Sequence, residues 1–253
     1  MQDSLRTLFV MIELELRRLK HERTEMYYRA IQPILWIIVF GPVMAAVRGI
    51  EAGVPYTDFI TPGVLIQSTT FVSIFYGLQI VWERESGILK KLLVTPASRY
   101  GTVIGRAMAS GVRAVFQVLI IFPFAMIIGV HFIPNFLCFL VAFVLIFFSS
   151  GGFAAISIFI ASFMKTRERF MGLGQAIIMP LFFLSSALYP ISTMPIILQQ
   201  IAIFNPVTYV VEAVRGLLIT GEIGNLLVDI VVIIGFDAFM FLVASASFKR
   251  IIE

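Results

Sequence analysis

Six apolar stretches, at approximately 30–47, 60–82, 108–130, 135–163, 171–190 and 223–248, leave this chain of 253 residues few ways to fold. Each is long enough to cross roughly 30 Å of hydrocarbon as a helix. In that medium every backbone N–H and C=O must be satisfied within the protein, which selects helices over open strands. The composition agrees: 59% of residues are hydrophobic and 13% charged, about half of the ~25% charged share of soluble domains. A soluble core could not hide so much apolar surface. No stretch between the six is polar enough to form a soluble domain, and no internal repeat stands out. Residues 1–253 therefore read as one all-α integral membrane domain. Cys138, the single cysteine, excludes an intrachain disulfide framework and a cysteine-rich metal site.

The placement of Lys and Arg orients the spans. Arg6, Arg17, Arg18, Lys20, Arg23 and Arg29 precede span one. Arg84, Lys90, Lys91, Arg99, Arg106 and Arg113 follow span two, and Lys165, Arg167 and Arg169 follow span four. Lys249 and Arg250 close the chain, so 17 of the 19 basic residues fall on one side, against Arg48 and Arg215 on the other. The bias puts both termini in the cytoplasm of a multi-pass protein of the cell (plasma or inner) membrane. The first apolar run begins near residue 30, after a heavily charged segment, so a retained span is expected rather than a cleaved signal.

Within residues 1–29, the segment 4–26 reads as an amphipathic helix on the membrane surface. Leu5, Leu8, Phe9, Ile12, Leu16 and Leu19 share one face, and Arg6, Glu13, Arg17 and Lys20 another. A solvated helix packed on a partner is the other reading. Residues 193–220 form a second irregular region. Pro195 to Ile203 is apolar but too short to cross, Asn205-Pro206 breaks it, and Val207 to Ile219 resumes, with Glu212 and Arg215 three residues apart on one helical face. A short helical hairpin on the outer side is expected between spans five and six, re-entrant if protein or water covers its turn, or otherwise an ordinary loop helix.

The connection after span two, ERESGILKKLLVTPASRYGTVIGR from Glu83 to Arg106, holds a short helix with Ile88, Leu89, Leu92 and Leu93 on one face. Arg84, Lys90 and Lys91 project elsewhere, Gly87 weakens its start and Pro96 ends it. Such a cytoplasmic helix anchors at the surface or docks a partner, and periodicity does not separate the two.

This connection resembles the coupling loop of ABC-2 type exporter permeases, the group that includes daunorubicin-resistance and nodulation-factor export permeases. The positions that carry the resemblance are Glu83 or Glu85, Gly87, Leu92, Leu93, Thr95 and Pro96. LSSALYPISTMPIILQQIAIFNPVTYVVEAVRGLL at 184–218 is similar to the family's pattern after the fifth span, through Pro195, Pro206, Tyr209, Glu212, Arg215 and Gly216, and YTDFITPG at 56–63 is similar to its start of span two. The resemblance implies a dimer of six-span subunits, each docking one ATPase through Glu83, Arg84, Glu85, Gly87, Leu89, Leu92, Leu93, Thr95 and Pro96 with help from the N-terminal helix. ATP and Mg would be bound by the two partner ATPase copies, moving substrate along a pathway lined mainly by spans two and five. The chain itself has no G-x-x-x-x-G-K-S/T phosphate loop; Gly172 and Gly174 in GLGQ lack the lysine.

Polar groups inside spans are costly and mark candidates for function. In spans two and five these are Gln67, Thr70, Ser73, Tyr76, Gln175 and Ser186, alongside Met179, Phe182 and Phe183. A pathway of aromatic and weakly polar groups suits an amphipathic organic substrate, drug or lipid-like, with lipid-linked glycan as the alternative cargo. Helix packing uses the same residue types. Asp237 lies well inside span six, with a proton-coupling role as one reading and pairing with Arg113 or a neighbouring polar group as the other; Arg113 also has the option of snorkelling to the surface. Gly151-Gly152 permit close helix approach in span four, and Pro123 and Pro180 interrupt spans three and five.

An intramembrane enzyme would need a nucleophile with its base or a metal cluster, and His21 and His131, the only histidines, have no such company in the sequence. A secondary transporter would often show matching halves, yet the hairpin after span five has no counterpart after span two. No catalytic residue, metal or nucleic-acid contact is expected.

Overall fold

The structure, a computed structural model, describes residues 2–46, 53–86 and 99–248. Most of those residues are helical, and there is no strand among them. In chain order they form α1 (Gln2–His21), α2 (Arg23–Leu35), a wide turn at Trp36–Phe40, α3 (Gly41–Ala45), α4 (Tyr56–Glu85), α5 (Arg99–Ile128), α6 (Phe136–Phe163), α7 (Arg167–Phe183), α8 (Ile196–Phe204), α9 (Pro206–Arg215), a second wide turn at Gly216–Thr220, and α10 (Leu226–Ser247). Among the described residues, five helical segments have the length and apolarity to cross a membrane: Thr24–Ala45, Tyr56–Glu85, Gly101–Ile128, Phe136–Phe163 and Leu226–Ser247. The bent pair Ile196–Phe204 and Pro206–Thr220 does so only if taken as one span. The five coincide with expected spans one to four and six.

The expected fifth span, 171–190, differs. It is the 17-residue α7, about 25 Å long, which stops at Phe183. Pro180 sits inside it without ending it. The stop is stabilised from outside: Asn205 Nδ2 donates to the carbonyls of Leu181 and Leu184, both at 2.7 Å, taking up acceptors that a helix end leaves orphaned. The same Asn205 caps α9, its Oδ1 accepting from Val207 N–H at 3.0 Å. One side chain therefore fixes both the end of α7 and the 84° bend between α8 and the Pro206–Thr220 segment. Of the expected hairpin, the α9 arm is buried through Val207, Val210, Val211 and Val214, while α8 presents Ile196, Ile197 and Phe204 outward.

α4 is the centre of the bundle. It packs against α5, α6, α7 and α9, and 72% of its apolar window is buried, against 17% for peripheral α10. Small residues set the spacing. Gly77 N–H donates to Ser157 Oγ at 2.7 Å, and that hydroxyl donates to the Ile74 carbonyl at 2.5 Å, so α4 and α6 touch at backbone distance. The expected close approach at Gly151-Gly152 is present: a Cβ on Gly152 would collide with the carboxylate of Asp237 and lie 2.9 Å from its Cγ. Asp237 does not meet Arg113. Its Oδ1 has no hydrogen-bond partner among the described residues, and the guanidinium of Arg113 is turned to carboxylates of the N-terminal segment instead.

Those carboxylates revise the reading of the N-terminal helix. α1 packs along α5, and Leu19, Met26 and Val112 form a small core with Ile12, Ile120 and Phe147. The inward face includes Glu15, 1% exposed, whereas Leu16, assigned to the apolar stripe, is 45% exposed. Ile12, Glu15, Leu19, Glu22 and Met26 follow the alternating three- and four-residue spacing of a packed helix seam.

Candidate functional site

The basic end of the bundle is held by three ion-pair groups that join the helix ends bordering the 83–106 connection. Glu83, on the last turn of α4, meets Arg106 on α5 at 2.6 Å; both side chains are buried, and Gln79 Nε2 donates to the second carboxylate oxygen at 3.0 Å. Glu85 accepts from Arg167 Nε at 2.6 Å and from the Arg167 backbone N–H at 3.2 Å, tying α4 to the start of α7. Arg113 Nε donates to Glu15, and its Nη2 donates to Glu22 at 2.7 Å. Tyr76 Oη donates to the other oxygen of Glu15 at 3.2 Å, and the guanidinium stands 5.8 Å from the Tyr76 ring centroid. These pairs satisfy charges that would be costly to bury alone. The result is mechanical: α1, α4, α5 and α7 are linked where the connection leaves the bundle.

Beside these clamps runs a groove. A cavity of about 430 Å³ lies between α2, α4 and α7, lined among others by Gln32, Gln67, Ser68, Phe71, Gln175 and Met179. A second, of about 440 Å³, is lined by Arg18, Glu22, Tyr76, Gln79, Trp82 and Arg113. The two share Glu25, Arg29 and Val72 in their walls. Together they run from the charged basic end to an amide-and-aromatic region deeper in the bundle. Pro33 of α2 lies on the wall, just before the wide turn at Trp36–Phe40.

Of the residues expected on a pathway, Gln67, Gln175 and Met179 meet in the first cavity and Tyr76 in the second. Thr70, Ser73 and Phe182 do not line either one. Thr70 and Ser73 face the bundle interior, Ser73 Oγ donating to the Thr69 carbonyl at 2.8 Å. Phe182 is 2% exposed and packs edge-on against Trp36 at 5.9 Å. Phe183 is partly exposed at the end of α7, and Ser186 lies fully buried in the turn beyond it. Of the expected docking residues, Glu83, Arg84 and Glu85 are described, and Glu83 is buried rather than presented. Gly87, Leu89, Leu92, Leu93, Thr95 and Pro96 lie outside the described residues. Sequence reasoning missed Glu15, Glu22, Glu25, Arg29 and Gln32; the first two were findable from the seam spacing noted above.

The far end is closed by a tyrosine–carbonyl hydrogen bond, a histidine–aspartate pair and an arginine. Tyr56 Oη donates to the Leu188 carbonyl at 2.7 Å, and His131 pairs with Asp58 at 3.1 Å. Arg215, 4% exposed, donates to the carbonyls of Phe59 at 3.2 Å and Ser186 at 2.7 Å, pairs with Glu212 at 2.7 Å, and lies 3.8 Å from the Phe59 ring centroid. The Glu212–Arg215 neighbourhood expected from spacing is thus an ion pair.

Long apolar helices around a buried central helix, with basic residues gathered at one end, define a multi-pass helical membrane protein. The family model described as "ABC-2 type transporter" matches residues 6–219, and the chain belongs to that family. It is similar to a Cyanophora paradoxa protein named as a transport permease, ycf38, at 31% identity over 216 residues, covering 84% of this chain and 74% of that one. It is also similar to nodulation protein J of Rhizobium leguminosarum bv. viciae, at 24% over 220 residues, 86% of this chain and 84% of the relative. A Mycobacterium tuberculosis protein named as a doxorubicin resistance ABC transporter permease, DrrC, is 24% identical over 231 residues, 88% of this chain and 82% of its own. The ycf38 and DrrC relatives are named as transport permeases.

Proposed function

We propose that this chain is the transmembrane permease subunit of an ATP-binding-cassette exporter that moves an amphipathic organic substrate, drug or lipid-like, outward across the cell membrane. Two copies of the chain pair with two copies of a separate ATPase, which binds ATP and Mg. The basic end is cytoplasmic, as are both termini, α7 serves as a short fifth span, and α1 lies at the cytoplasmic surface while packing on α5. The observation that carries this reading is the groove between α2, α4 and α7, which begins among the clamps at the basic end and deepens toward Gln67 and Gln175. A second copy would close its open side. The connection at 83–106 receives force from the ATPase through Gly87, Leu89, Leu92, Leu93, Thr95 and Pro96. Glu83 and Glu85 act behind it, making the helix ends move as a unit. The name of DrrC, a doxorubicin resistance ABC transporter permease, supports an organic cargo.

Leu92→Asp is expected to uncouple the machine, because a carboxylate pressed into an apolar contact costs several kcal/mol. Substrate-stimulated ATP hydrolysis by the reconstituted complex should fall at least tenfold, with the permease still inserted. Unchanged stimulation and transport would remove the docking assignment. In the groove, Gln67→Leu and Gln175→Leu should each raise the half-saturating substrate concentration about fivefold, matching the loss of roughly 1 kcal/mol of hydrogen bonding. ATPase assembly should be untouched. Equal effects on all substrates and on assembly would mean that these amides serve packing.

A further inference from the structure

A third cavity, of about 670 Å³, opens at the far end between the α9–α10 connection and the turn before α8. Its walls carry three carboxylates, Glu212, Glu222 and Asp229, against the single guanidinium of Arg215. Arg215 is already committed to Glu212 and to two backbone carbonyls. Asp229 differs from the others. Its residue is 7% exposed, it lines the cavity, and no hydrogen bond or ion pair reaches its carboxylate among the described residues. A carboxylate so enclosed is left to whatever enters the cavity. No group of three His, Cys, Asp or Glu side chains among the described residues is placed to hold a metal ion, so the acidic groups do not converge as a metal requires. The remaining wall is apolar, with Phe59, Pro190 and Ile191. Phe59 already holds a cation against its ring in Arg215, which shows the kind of charge this wall accepts.

We propose that this far-end cavity binds a lipophilic organic monocation, with Asp229 as its anchoring charge, Glu222 at the rim, and Phe59 and Ile191 against its apolar body. The binding stands on the cavity alone; that the cation is cargo on its way out rests on the export reading. Charge selects for the cation, and carboxylates that do not converge select against a divalent metal. The breadth of the cavity admits a bulky body.

The test uses the full chain in lipid nanodiscs and two probes of the same shape and opposite charge, tetraphenylphosphonium and tetraphenylborate, with empty nanodiscs as background. Wild-type protein should bind the phosphonium saturably above background and the borate not at all. Asp229→Asn should weaken phosphonium binding at least tenfold, and Asp229→Glu should keep most of it. Glu222→Gln, at an exposed position, should weaken binding two- to threefold and keeps the test decisive if Asp229→Asn does not insert. Phosphonium binding equal to background, equal binding of the borate, or no effect of the inserted variants would overturn the proposal. Because the assay contains neither ATP nor ATPase, those outcomes leave the export reading standing. Failure of the chain to associate with any ATPase, with cation binding intact, would instead sink the export reading alone.

Discussion

Arg113→Met is expected to release α1 from the bundle. In the native chain the guanidinium is the common partner of Glu15 and Glu22, and only 14% of its side-chain surface is exposed. Methionine fills much of the same volume but leaves Glu15, 1% exposed, with the Tyr76 hydroxyl as its remaining contact. Removing one member of a buried pair typically costs about 3–5 kcal/mol, most of it the penalty of the abandoned charge. Thermal unfolding in detergent should therefore shift down clearly. Limited trypsin digestion at Arg17 and Arg18 should be faster in the variant than in the parent, because an undocked α1 unfolds locally more often. Arg113→Lys should fall between, since an ammonium does not reproduce the fork that reaches two carboxylates. The double variant Arg113→Met with Glu15→Leu should recover most of the lost stability, because both charges are then gone and the seam becomes apolar. A single variant as stable and as protease-resistant as the parent would show that the cluster does not hold α1. If the double variant recovers stability while stimulated ATPase activity stays low, the charges serve transmission rather than cohesion.

The same cluster shows where the sequence is readable and where it is not. The long spans are legible because lipid imposes one requirement on every residue of a segment, and an apolar run of sufficient length answers it. Five of them lie where hydropathy puts them. The end of α7 is not legible in that way. Leu184 to Tyr189 is mixed in polarity, and what stops the helix is Asn205, a side chain some twenty residues later whose amide takes two of its carbonyls. The inward face of α1 is hidden by the opposite effect. Glu15 and Glu22 break any apolar stripe, and their acceptance inside depends on an arginine about ninety residues away. Amphipathic periodicity measures water against oil and is blind to a buried pair. Within the candidate groove, Gln67, Gln175 and Met179, singled out by residue type, line one cavity. Residue type could not separate Gln67 from Thr70 and Ser73, which lie on the same helix but face its packed side.

Gly63→Ala tests the far end with one methyl group, and its sign is set by two opposed magnitudes. Inside a helix, alanine is favoured over glycine by about 0.8–1.0 kcal/mol, so an unobstructed site should gain stability. Gly63 is obstructed. A Cβ there would collide with the Ala187 carbonyl oxygen and stand 2.7 Å from the Ala187 Cα and 2.8 Å from its carbonyl carbon. These are backbone atoms, so no rotamer change relieves them, and overpacking of this kind costs typically 1–3 kcal/mol or more. The net expectation is destabilisation. Gly172 on α7 supplies the control, since nothing lies within 4 Å of the Cβ it would gain; Gly172→Ala should raise thermal stability slightly. The consequence of the Gly63 change extends beyond its own site. The turn it would displace carries the Ser186 carbonyl that accepts from Arg215 and the Leu188 carbonyl that accepts from Tyr56. Both locks that hold the far end to α4 should loosen together, and a cysteine placed at Ser186, fully buried in the parent, should become reactive to an aqueous maleimide only in the Gly63→Ala background. If Gly63→Ala and Gly172→Ala move the unfolding temperature in the same direction, or if the reporter cysteine reacts equally in both backgrounds, the turn does not rest on α4 at Gly63 and the far end is held by other contacts.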